Sequence, residues 1–196
     1  MIDVDIAVIG SGSGNSLLTD DLSDRTFAMI EGGAVFGGTC LNFGCIPTKQ
    51  YVYPATVATE ATHIGHLGVE AEVTHVDWKS MRDRIFKRID AISDGGLDYR
   101  KSLDNVTVFE EYAKFTGTHE LETASGTKLR GKQIVIAAGS HNQLPQVPGI
   151  DHPAVHTSDT VMRIDELPQR VVVVGGGFIA AEFAHVFNGL GSKVVQ

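Results

Sequence analysis

The sequence predicts an α/β protein built around two glycine-rich strand-to-helix turns, on three observations. A β-branched run ends in glycine twice, at Val4–Ile9 before Gly10 and at Arg170–Val174 before Gly175. Each turn is followed by apolar residues suited to one helix face and then by another apolar run, the order of a βαβ unit and hence of parallel pairing. Between the two, after Asn105, the hydrophobic period shortens to that of half-buried strands.

Taken in order, Val4–Ile9 and Thr26–Ile30 are strands, with Leu17, Leu18 and Leu22 on the helical segment between them. Trp78, Met81, Ile85, Ile89 and Ile92 recur at spacings of three and four, with Asp77 as N-cap and Gly95-Gly96 as the expected stop, which predicts an amphipathic helix. From Asn105 to Ala138 short strands follow one another, with Ser125-Gly126 as a tight turn, and lead into the buried strand Gln133–Gly139. This is an antiparallel β-meander. Proline and glycine then cluster from Leu144 to Pro153, where no period survives, and a domain boundary is expected near residue 150. Beyond it come a buried strand at Arg170–Val174, a helix at Phe178–Leu190 and the start of a strand at Lys193–Val195.

Composition narrows the function. The 196 residues suffice for one full domain and the beginning of another. A net charge of -8, from 16 basic against 24 acidic residues, without a basic stripe, excludes a nucleic-acid partner. The longest apolar stretch, Val171–Ala181, is shorter than the roughly 20 residues a bilayer requires and is broken by three glycines. The first residues lack the basic flank of a signal peptide. A soluble, cytoplasmic protein with no membrane partner is expected.

The two glycine turns carry chemistry. In Gly10-Ser11-Gly12-Ser13-Gly14-Asn15 the glycines let the backbone approach a pyrophosphate, although Asn15 stands where a third glycine is usual. Glu31, 21 residues after Gly10 and at the end of the next strand, is placed to accept ribose hydroxyls. The second turn, with Gly175, Gly177 and Ala180 at the three positions, is the stronger signal. Two nucleotide cradles in succession imply electron transfer between two carriers.

Both cysteines of the chain, Cys40 and Cys45, fall in one stretch, Phe36–Gln50. On an ideal helix their Cα atoms lie about 8.5 Å apart, beyond the roughly 7 Å that a disulfide tolerates. A bridge therefore needs a distorted helix, for which Gly44 and Pro47 supply the means. Two other readings compete: half of a zinc site, for which no second Cys-x-x-Cys or His-x3-His lies at a suitable spacing, and a pair of buried inert thiols. The eight histidines are scattered, His63 and His66 read as surface residues, His152 and His156 as loop residues, and no metal site is expected.

The glycine run at Gly10, GGTCLNFGCIPTK (Gly37–Lys49), IVIAAGS (Ile134–Ser140) and GGGFIAAE (Gly175–Glu182) occur in that order, and the chain resembles the pyridine nucleotide-disulfide oxidoreductase family over nearly its whole length. Softer stretches, Gly10–Ser16, Cys45–Ala55 and Leu67–Asp90, lean toward a branch that reduces a small thiol disulfide. The fold so implied is an FAD-binding Rossmann-like domain with an antiparallel β-meander (residues 1–150), followed by the first βαβ of a second Rossmann-like NAD(P)-binding domain (residues 151–196), cut short.

The resemblance also implies roles. FAD would be held by Gly10, Gly12 and Gly14 at its pyrophosphate, Glu31 at its adenosine ribose, and Gly38 and Thr39 near the isoalloxazine. The backbone of Ala113 would approach the adenine, and Gly139 would pass close to the cofactor. NADPH, with NADH as the alternative, would use Gly175, Gly177, Phe178 and Ile179, Phe178 gating the nicotinamide unless it is a core aromatic. Cys45 would touch the flavin, Cys40 would attack the substrate disulfide, and Lys49 would sit by the flavin N5 paired with Glu182, which is otherwise an ordinary solvated helix residue. Pro54 departs from the pattern and is expected to kink its helix. The family works as a homodimer in which the partner supplies an acid–base histidine, for which no candidate is present here. These 196 residues are accordingly expected to be part of a longer enzyme and inactive alone. The competing readings are another member of the family and a non-catalytic FAD-binding module.

Overall fold

A computed structural model describes residues 1–196 and shows a mixed α/β chain. It divides into two compact units, Met1–Asn42 with Ile89–His141, and Phe43–Arg88 with Asn142–Gln196. The second unit joins segments from before and after residue 150. In the second unit Gly189 packs so closely on Ala55 that a Cβ on it would lie 2.7 Å from the Ala55 carbonyl oxygen, which binds a segment before residue 150 to one after it.

The first unit is a six-stranded sheet in the order β3-β2-β1-β6-β5-β4. Its strands are β1 (Ile2–Ile9), β2 (Phe27–Ile30), β3 (Val106–Phe109), β4 (Ala113–Gly117), β5 (Glu120–Thr123) and β6 (Lys128–Ile136). β1 pairs in parallel with both β2 and β6, and β2 with β3, whereas β4, β5 and β6 pair antiparallel. The meander is thus an extension of the parallel sheet. All four residues of β2 are buried and alternate between two cores: Ala28 and Ile30 join Val4, Leu121 and Leu129, while Phe27 and Met29 join Ile6, Val8 and Val106. The expected burial of the strand after Lys132 is met only in part: Ile134 and Val135 are half-buried against the two cores, whereas Ile136, at the strand end, is 69% exposed.

Between β1 and β2 the expected α-helix is replaced by two short 3-10 turns, Ser13–Leu17 and Asp20–Leu22. Small polar residues there compete with the backbone ladder, as where the Ser16 hydroxyl donates to the Ser13 carbonyl at 2.8 Å. Leu17, Leu18 and Leu22 nevertheless pack on the sheet as their spacing predicts.

The helices are α1 (Gly38–Asn42), α2 (Cys45–Ala61), α3 (Trp78–Lys101), α4 (Ser158–Val161) and α5 (Phe178–Gly189). Asp77 caps α3, its carboxylate accepting from the Ser80 amide at 2.9 Å, and this bond holds the carboxyl below the usual range. The helix does not stop at Gly95-Gly96 but runs to Lys101. Side-chain contacts carry it through: Ser93 donates to the Phe36 carbonyl at 2.6 Å, Gly96 lies against the Phe36 ring, and Arg100 donates to Asn15 at 2.6 Å. α2 likewise continues through Pro54.

The second unit has a parallel pair, β7 (Arg170–Val172) and β8 (Lys193–Val195), with α5 between them in the chain. Its core is aromatic: the Tyr51 and Trp78 rings stack at 4.8 Å and the Trp78 and Phe187 rings at 5.8 Å. The expected burial of the first strand is not met, Val172 being 74% and Val174 88% exposed, since a two-stranded pair covered by one helix leaves a face open. No helix of the chain is long and apolar enough to cross a membrane.

Candidate functional site

In the first unit the glycine turn sits where the strand order reverses, β2 lying on one side of β1 and β6 on the other. That switch point, outside the carboxyl ends of parallel strands, is where open α/β sheets bind ligands. Gly10 donates to the Ile30 carbonyl at 2.8 Å and adopts φ +106°, and a Cβ there would lie 2.1 Å from the Ala137 oxygen, so no other residue fits. A Cβ on Gly38, at φ +71°, would come within 2.5 Å of the Gly12 Cα, so the two glycine loops meet backbone to backbone. Gly14 faces β1, where a Cβ would lie 2.6 Å from Val8 Cγ1. It therefore gives the close approach expected of the third motif glycine, one position early, and leaves Asn15 to accept from Arg100.

Glu31 stands at the end of β2 with both oxygens engaged. Oε2 accepts from the Ser11 amide at 2.9 Å and the Ser11 hydroxyl at 2.5 Å, and Oε1 accepts from the Gly33 amide at 2.7 Å. A carboxylate offers about four acceptor sites, so capacity remains for a ribose hydroxyl. Thr39 and Cys40 are exposed on α1. That short helix is held by Asn42, whose buried amide nitrogen donates to the carbonyls of Phe36 at 2.8 Å and Gly38 at 3.1 Å. Ala113 opens β4 half-buried opposite Thr123. Gly139 is exposed at φ +71° with open space around its Cβ position. These features fit a dinucleotide: a glycine-lined backbone at the switch point and an anchored carboxylate beside it.

In the second unit Lys49, on α2, forms an ion pair with Glu182, on α5. The pair is set by packing of the two helices. Gly189 fits against Ala55, Thr56 Oγ1 lies 2.9 Å from His185 Nε2, and the buried Tyr51 hydroxyl donates to the Met162 carbonyl at 2.7 Å. Burial pushes the Tyr51 phenol pKa up, so it remains a neutral donor. Gly175, at φ +142°, leaves β7, and Gly177 caps the first turn of α5. Phe178 is 81% and Ile179 46% exposed. Phe178 is not a core aromatic here, and Glu182 is more than a solvated helix residue. The glycine turn and the N-terminus of this 12-residue helix suit a second anionic dinucleotide.

The cysteines lie on either side of a helix break. α1 ends at Asn42 and α2 starts at Cys45, with Gly44 between them at φ -131° and ψ -124°, far from helical. Pro47 lies in the first turn of α2. The chain between them is thus not a continuous helix, and both cysteines are exposed, which removes the inert buried reading. His63, His66, His152 and His156 are exposed, as expected. Ser11, Arg100 and Tyr51 carry no signal at the level of sequence. Ser11 occupies the variable place of a glycine motif, and the other two act over separations of 85 and 111 residues that no local pattern marks.

The sequence model described as pyridine nucleotide-disulphide oxidoreductase matches residues 4–196. Mycothione reductase of Mycobacterium tuberculosis is 46% identical over 97% of this chain and 42% of that protein. The mitochondrial dihydrolipoyl dehydrogenase of Pisum sativum is 32% identical over 97% of this chain and 39% of that protein. Among solved structures, the HOCl-induced flavoprotein disulfide reductase RclA from Escherichia coli superposes with a TM-score of 0.81 at 29% identity, covering 97% of this chain and 41% of that one. The chain thus spans about two-fifths of the length of these relatives.

Proposed function

The chain belongs to the pyridine nucleotide-disulphide oxidoreductase family, and we propose that it carries the electron-transfer half of a flavin disulfide reductase. Electrons pass from NADPH, with NADH as the alternative, through FAD and a Cys40–Cys45 disulfide to a small disulfide, mycothiol disulfide before any other. The observation that carries the proposal is the helix break between two exposed cysteines, which frees the backbone for a bond that a continuous helix forbids. The 46% identity to mycothione reductase favours the substrate.

Gly10, Gly12 and Gly14 would hold the FAD pyrophosphate and Glu31 its ribose, with Gly38, Thr39, Ala113 and Gly139 along the rest of the cofactor. Gly175 and Gly177 cradle the nicotinamide dinucleotide, with Phe178 and Ile179 at its mouth. FAD, when bound, supplies a two-electron carrier between nicotinamide and cysteines. Lys49 would supply a cation to the flavin, and its ion pair with Glu182 holds that cation in place. Reduction opens the Cys40–Cys45 bond to two thiols. The Cys40 thiolate then attacks one sulfur of the substrate, forming a mixed disulfide and releasing the first thiol as its proton arrives. Cys45 attacks the Cys40 sulfur, releases the second thiol and restores the internal disulfide. Two electrons and two protons turn one disulfide into two thiols. The working form is a homodimer, and the 196 residues alone do not sustain turnover.

Mixing the prereduced, FAD-loaded chain with one equivalent of mycothiol disulfide, glutathione disulfide or lipoamide tests this. Fastest thiol release with mycothiol disulfide is expected. Preference for lipoamide would reassign the chain to a dihydrolipoyl dehydrogenase role, absence of thiol release from all three would leave a flavin-binding module, and steady-state reduction by the chain alone would contradict its inability to sustain turnover.

A further inference from the structure

We infer that Ser11 is a positioning residue that ties Glu31 to the turn entering α1, linking cofactor occupancy to the order of the segment that bears Cys40. The inference rests on the reading of the first unit as an FAD cradle. Ser11 is fully buried between Gly10 and Gly12. Its hydroxyl has one hydrogen and two lone pairs. The hydrogen goes to Glu31 Oε2 at 2.5 Å, and a lone pair takes the Gly37 amide at 2.8 Å. The Ser11 amide reaches the same Glu31 oxygen at 2.9 Å.

The turn itself is otherwise closed on its own surroundings. The Phe36 carbonyl accepts from Asn42 and Ser93, the Gly38 carbonyl accepts from Asn42, and Gly38 rests on Gly12. Gly37 is therefore the residue of the turn whose hydrogen bond leads outward, through a single oxygen, to the carboxylate proposed to meet the ribose. A hydroxyl that donates to a carboxylate is polarised and accepts more strongly, so each bond strengthens the other. A ribose hydroxyl that orients Glu31 fixes Ser11 and, through it, Gly37 and the start of α1. Neither Glu31 nor the cysteine motif requires a serine at position 11 for its own chemistry, and the connection is visible only in three dimensions.

The test uses the whole 196-residue chain with two readouts, FAD affinity from flavin fluorescence and amide hydrogen exchange of residues 36–42. In the wild-type chain FAD slows that exchange. Ser11→Ala is expected to weaken FAD binding about tenfold, to speed exchange of the 36–42 amides without FAD, and to abolish the slowing by FAD. In a Glu31→Ala background, Ser11→Ala should change FAD affinity by less than about twofold, because it acts through that carboxylate. Equal losses in both backgrounds, or unchanged exchange at 36–42, would overturn the inference. If Ser11→Ala does not fold, Glu31→Ala decides: faster exchange at 36–42 without FAD supports the link, and wild-type exchange refutes it. A wild-type chain that takes up no flavin would sink the proposed function, and the exchange of the cofactor-free Ser11→Ala chain would then decide the role of Ser11.

Discussion

At Gly10 an added methyl group meets the Ala137 carbonyl at 2.1 Å on a backbone already at φ +106°. Gly139 has the same kind of backbone, φ +71°, with nothing near it. Denaturant unfolding should separate the two, Gly10→Ala losing about 3 kcal/mol or more and Gly139→Ala about 1 kcal/mol. Equal losses would show that strain, and not the approach of the two loops, makes Gly10 a glycine. The Lys49–Glu182 pair is a different case, since the lysine side chain is 63% exposed and such pairs contribute about 1 kcal/mol or less to stability. Its expected value is chemical. Glu182→Gln should leave the unfolding midpoint nearly unchanged and slow flavin reduction by NADPH about tenfold or more. Loss of stability with full reduction rate would mark the pair as structural. The partners of this pair were legible in the sequence, because both lie in motifs; Ser11 was not, because a small polar residue between glycines has no periodicity to betray its hydrogen bonds.

α3 shows how an element can outrun its punctuation. Gly95 and Gly96 read as a stop, yet the ladder continues to Lys101 because Ser93, Gly96 and Arg100 each find a partner on the first unit's loops. Gly95 is exposed, with no neighbour around its Cβ position. Gly95→Ala should therefore raise the unfolding free energy by about 0.5–1 kcal/mol, and a decrease would mean that the glycine serves flexibility. Strands and the long helix were foreseen from residues such as Ile85 and Ile89, both fully buried. The segment after Gly10 was not, because its three leucines fit a helix face while Ser13, Ser16, Asp20 and Asp21 favour the 3-10 turns that formed.

For the whole chain, the order of motifs marked the two glycine turns and the cysteine pair, whereas each compact unit draws on segments far apart in the chain. α2, which begins with Cys45, belongs to the second unit through Ala55, Lys49 and Tyr51. No sequence pattern marks that allegiance, since it depends on which helix α2 meets after folding. The proposal that these parts form one redox path rests on Cys40 and Cys45 exchanging a bond beside a flavin. Anaerobic two-electron reduction of the FAD-loaded chain, followed by absorbance, tests this most directly. A long-wavelength charge-transfer band should grow in the wild-type chain, be present without reduction in Cys40→Ser, and be missing from Cys45→Ser. Simple bleaching of the flavin in the wild-type chain, with no such band, would contradict it.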